Sequence, residues 1–81
     1  MKLYLISQSE NGGYDTYDSA VVVAESEERA RMMHPSDGKI YPWPSWSNAW
    51  ATKPENISVD YLGEAKEPSA ECVVIASFNA G

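Results

Sequence analysis

Three stretches of this sequence, Lys2 to Ser7 (KLYLIS), Ala20 to Ala24 (AVVVA) and Cys72 to Ser77 (CVVIAS), carry apolar side chains at consecutive positions. Successive strand residues point to opposite faces. Leu3 and Leu5 therefore oppose Tyr4 and Ile6, Val21 and Val23 oppose Val22, and Val73 and Ile75 oppose Cys72 and Val74. A sheet built from such strands is apolar on both sides and needs two covers.

The chain offers one regular cover. Ser26 supplies an N-cap oxygen for a short helix through EERARMMH, residues 27 to 34, with Glu27 and Glu28 in the first turn, where the helix dipole favours acids. Pro35 stops it, because the residue before a proline disfavours the helical region. Two and a half turns span only about 12 to 15 Å, too little for two faces. The second cover is then the long segment Pro35 to Asn56, which holds four of the five prolines and all three tryptophans, or a second copy of the chain or another protein. Trp46 and Trp50 have the spacing of one helical turn inside that segment.

The remaining elements follow from local pattern. Asn11-Gly12-Gly13 after residues 2 to 8 reads as a hairpin turn, with the returning strand certain at Ala20 to Ala24 and YDTYD as its distal end or a wide loop. Ile57 to Leu62 alternates as a half-buried strand near an edge, and Cys72 to Phe78 reads as a strand covered on both faces. Residues 79 to 81 are expected free or lightly docked. The expectation is one α+β domain over residues 1–81: a four-stranded, mainly antiparallel sheet in ββαββ order with one short helix and a long Trp-rich loop.

Composition excludes several functions. Twelve acids against six bases give a net charge of −6, and the bases form no stripe, which argues against direct nucleic-acid binding and against anionic membranes. The acidity suits a partner with a basic surface. The acids could also mimic duplex phosphate if they shared one face. One cysteine allows no disulfide within the chain, and Leu3 to Ile6 is too short for a signal-peptide core or a membrane span, so a cytoplasmic protein is expected.

No nucleophile elbow, phosphate loop or metalloprotease helix is present. His34 and Cys72 are the only histidine and cysteine; each reads as structural, His34 closing a helix and Cys72 filling a strand. No enzyme, catalytic residue, metal or cofactor is expected. The candidate partner-binding residues are Tyr14, Asp15, Tyr17 and Asp18, which cluster carboxylates and phenols at the hairpin, and Tyr41, Trp43, Trp46 and Trp50, the aromatics of the loop.

The stretch GGYDTYDSAVVVAESEERAR followed by HP, then VDYLGEA and VIASFNAG, resembles a family of small proteins encoded by bacteriophages and prophages. The likeness spans nearly the whole chain outside the Trp-rich loop and carries no functional residues with it. Small size, acidity and lack of catalytic apparatus are similar to those of phage anti-defence proteins, anti-CRISPR proteins among them. By that analogy the chain is a phage accessory protein in the cytoplasm of the infected host, inhibiting a host protein or ribonucleoprotein complex that handles nucleic acid. Two rival expectations are a homo-oligomeric structural or assembly protein, such as a homodimer, and a protein that sequesters a small nucleotide on its aromatic rings.

Overall fold

Both arms of the hairpin form where the apolar runs stand, and they pair antiparallel with Tyr4 opposite Val22 and Ile6 opposite Ala20. The computed structural model describes residues 1–12, 15–40, 49–66 and 70–79. In chain order these give β1 (Lys2–Ser7), β2 (Thr16–Ala24), α1 (Glu27–Met32), a single 3₁₀ turn (Pro54–Asn56), β3 (Ser58–Glu64) and β4 (Cys72–Asn79). The sheet runs β3-β1-β2-β4 with every neighbour antiparallel, and the helix follows β2. The α+β class and the ββαββ order expected from the sequence are those of the structure.

The hairpin connection is wider than a two-residue turn. Gln8 closes it: its side-chain amide donates to the carbonyls of Asn11 and Tyr17, both at 2.8 Å, and its Oε1 accepts from the Asn11 N–H. Asp15 takes the left-handed conformation, φ 60°, which asparagine and aspartate tolerate better than other side chains. From Thr16 onward the YDTYD stretch belongs to β2, so Thr16 to Asp18 form the distal end of the strand and Asp15 a turn before it.

Helix α1 is shorter than the sequence suggests. Ser26 Oγ accepts from the Arg29 N–H at 3.3 Å as expected of an N-cap, but Met33 is already extended (φ −77°, ψ 134°) and forms a β-bridge with Ile40. His34 therefore lies beyond the helix rather than in its last turn, because Pro35 imposes extended backbone on its predecessor and the bridge propagates that conformation back to Met33. A tight turn follows, with Gly38 N–H donating to the His34 carbonyl at 2.8 Å and His34 N–H to that of Lys39 at 2.9 Å. Gly38 has φ 76°, and a Cβ there would sit 3.1 Å from the Val73 backbone nitrogen, so both conformation and space call for glycine.

Among the described residues, the helix region and residues 49–57 pack on one face of the sheet. Tyr4 and Ile6 of β1 and Ala20, Val22 and Ala24 of β2 form a buried cluster with Ala30 and Met33 from the helix region and Trp50, Ala51 and Ile57 from the later loop. The loop is bolted there by polar contacts: Tyr17 N–H donates to the Ala49 carbonyl at 2.8 Å, and the Asn11 amide to that of Trp50 at 3.2 Å. The Glu10 carboxylate accepts from Thr52 and, at 2.7 Å, from Asn56. Arg31 donates to the carbonyls of Pro54 and Ile57, tying α1 to the 3₁₀ turn.

One expectation is corrected outright. The continuous apolar run of β4 reads as a strand covered on both faces, yet β4 ends the sheet, with Val74, Ile75 and Phe78 exposed. The reason is topological: β1 is flanked by its hairpin partner β2 and by β3, so the last strand can join only at an outer edge of the sheet, and it takes the outer side of β2.

Trp50 is 1% exposed, and its indole N–H has no hydrogen-bond partner among the described residues. Trp50→Ala should cost about 3 to 5 kcal/mol, a large part of the roughly 4 to 12 kcal/mol expected for a domain of this length, and abolish cooperative urea unfolding. Trp50→Phe, which also deletes an unsatisfied buried donor, should lose distinctly less in the same titration.

Candidate functional site

The alternation that buries Tyr4, Ile6 and Val22 turns Leu3, Leu5, Ser7, Ser19, Val21 and Val23 to the opposite face. Register adds Asp60 beside Leu5 from β3, and Ile75 and Ser77 from β4 opposite Val21 and Ser19. Val23 is fully buried, but Leu3, Leu5 and Val21 are only half-buried and Ile75 is 66% exposed. Leu5, Val21 and Ile75 line a shallow open concavity of about 180 Å³, with Ser19 and Ser77 at its rim. This surface has an apolar floor and neutral hydroxyls, and α1 and residues 49–57 pack on the other side of the sheet.

Such a surface suits a protein more than a nucleotide. Ligand pockets usually enclose about 300 to 1,000 Å³, and none of the residues lining this one is a cation that would hold phosphate. An exposed cluster of branched aliphatic side chains is instead the usual mark of an interaction surface.

The residues singled out in the sequence scatter. Tyr14, Tyr41, Trp43 and Trp46 lie outside the described residues. Trp50 belongs to the core, out of reach of a partner. Tyr17 is half-buried, its ring 4.7 Å from that of Phe78 and 6.3 Å from that of His34, and it fastens β2 to β4 and to the Gly38 turn. The Asp18 carboxylate accepts from the Asn79 side chain at 2.8 Å. Asp15 is exposed at the tip. The tip thus offers Asp15 while its neighbours hold the hairpin together. Leu5, Val21 and Ile75 were visible as two-faced strand residues, but nothing in the sequence told which face the helix would choose.

Elsewhere His34, Arg29 and Glu71 are engaged within the fold. His34 is 5% exposed; its Nδ1 lies 2.8 Å from Ser36 Oγ and accepts from the Ser36 N–H at 3.2 Å, leaving the proton of the neutral ring on Nε2. Burial holds its pKa below the ordinary histidine value, against the opposing pull of Asp37. Arg29 and Glu71 form a bidentate pair with both contacts at 2.6 Å, which keeps the Glu71 carboxyl below its usual range. Cys72 is a half-buried free thiol at the start of β4. No group of three or more His, Cys, Asp or Glu among the described residues is placed to hold a metal ion, and none of their helices is long and apolar enough to cross a membrane.

Compared with known proteins, the chain matches no family model, no curated protein and no solved structure.

The pH response follows from His34. A folded-state pKa below the unfolded one means that the unfolded chain binds the proton first, so this contribution to stability is full above about pH 6.5 and is lost as pH falls through the folded value. Urea midpoints should therefore fall as pH drops below about 6.5, with a further fall below about 4.5 as Glu71 is protonated. His34→Gln should flatten the first slope and leave the second.

Proposed function

We propose that this chain is a non-enzymatic accessory protein that acts by occupying the surface of another protein, docking through the open face of its sheet. The observation that carries this reading is Ile75, a large aliphatic side chain two-thirds exposed beside the half-buried Leu5 and Val21. Desolvating such a cluster supplies affinity, at about 25 cal/mol for each Å² of apolar surface removed from water.

Electrostatics supports a partner with a basic surface. The net charge of −6 accelerates encounter with such a surface and repels acidic competitors, and Asp60 and the exposed Asp15 leave acids near the face and at the hairpin tip. The phage resemblance in the sequence supports a host protein as that partner, with a nucleic-acid-handling defence complex the class that fits both charge and size. In this reading the protein inhibits by steric occupation and needs no cofactor.

Affinity capture from infected host lysate tests it. Ile75→Asp places a carboxylate at an exposed position, so the urea midpoint should stay unchanged while partner capture falls at least about tenfold. Asp15→Lys should chiefly slow association, measured by surface plasmon resonance against the captured partner. Undiminished capture by Ile75→Asp overturns the assignment of this face.

A further inference from the structure

The two edges of the sheet are guarded differently. β3 carries Asp60 and Glu64 on its seven residues; the pairing of each edge strand with its neighbour is broken by a bulge, at Leu62 in β3 and at Val74 in β4, so charge is what separates the two edges. Charges and bulges are the devices by which edge strands avoid pairing with other chains. β4, from Cys72 to Asn79, has no charged residue and no proline, and exposes Val74, Ile75 and Phe78 at 54%, 66% and 46%. In a chain with twelve acids this is an unusually neutral edge.

We infer that β4 is the interface of a two-fold dimer, in which the strand pairs antiparallel with β4 of a second copy and extends the sheet from four strands to eight. Charge selects a second copy as the occupant. Two chains of net charge −6 repel unless they meet where acids are absent or engaged, and β4 meets both conditions. The acid just before the strand, Glu71, is held by Arg29 at 2.6 Å. Asp18, beside its far end, is held by Asn79 at 2.8 Å. Self-pairing satisfies the outward N–H and C=O groups of both edges together.

Geometry sets the extent of the pairing. The Gly38 turn lies against Val73, so among the described residues the open edge runs from the bulged position Val74 to Asn79. Antiparallel pairing about a two-fold axis keeps the same face of both sheets on the same side. The helices then lie together on one side, and the two open faces join into one apolar surface that edge pairing leaves uncovered. The dimer does not depend on the docking proposal; it doubles the surface that the proposal uses.

Sedimentation equilibrium of the purified chain from about 10 µM to about 1 mM tests this. The mass should rise from 8.9 kDa toward twice that value, and amides within 74–79 should gain hydrogen-exchange protection with concentration. Val74→Asp and Ser77→Asp alter exposed positions and should hold the chain at 8.9 kDa with an unchanged urea midpoint. A wild-type chain that stays monomeric over the whole range overturns the inference while leaving the docking reading to its own test. So does concentration-independent exchange at 74–79, polydisperse aggregation without a dimer, or a dimer that Val21→Asp abolishes and Val74→Asp does not, since that dimer would pair face to face.

Discussion

The burial of one sheet face under Trp50, Met33 and Ala30 is the interaction on which the rest of this structure depends. A six-residue helix supplies little area of its own, so the core closes only because residues 49–57 return to the same face as α1. That return is fixed by polar anchors at both ends. Asn11, Glu10 and the Tyr17 amide hold residues 49–52, and Arg31 holds the 3₁₀ turn. Apolar cover is thereby concentrated where the chain can also satisfy its loop backbone, and the opposite face is left with Leu3, Leu5, Val21 and Ile75 in contact with water.

An apolar surface on so acidic a chain has a definite physical meaning. Net charge keeps copies apart in general, while neutral serines and aliphatic side chains around Ile75 lower the cost of desolvation at one place. The same logic applies along the periphery of the sheet, where β3 carries acids and β4 carries neither charge nor proline. Chain association is directed by where charge is missing as much as by where it is concentrated.

Much of the architecture was legible from residues alone. Three continuous apolar runs and one alternating run placed the four strands, Ser26 with Glu27 and Glu28 placed the start of the helix, and Pro35 announced its end, although the extended backbone reached back to Met33 and released His34 from the helix. The candidate site was less legible. The hairpin tip looked like a cluster of recognition groups, but Tyr17 and Asp18 are spent on Phe78, His34 and Asn79. Trp50, one of the loop aromatics expected to face a partner, closes the core. Aromatic and acidic residues serve packing and recognition equally well, and only their neighbours in space separate the two roles.

The sequence by itself determined that this chain makes strands with two apolar faces and a helix too short to cover both, because side-chain alternation and helix rise are local properties of the backbone. Which face was covered, and which strand ended at the edge, were decided only by the tertiary structure. Those outcomes depend on contacts between residues some 40 or more positions apart, such as Glu10 with Thr52 and Arg29 with Glu71, whose pairing no local pattern encodes.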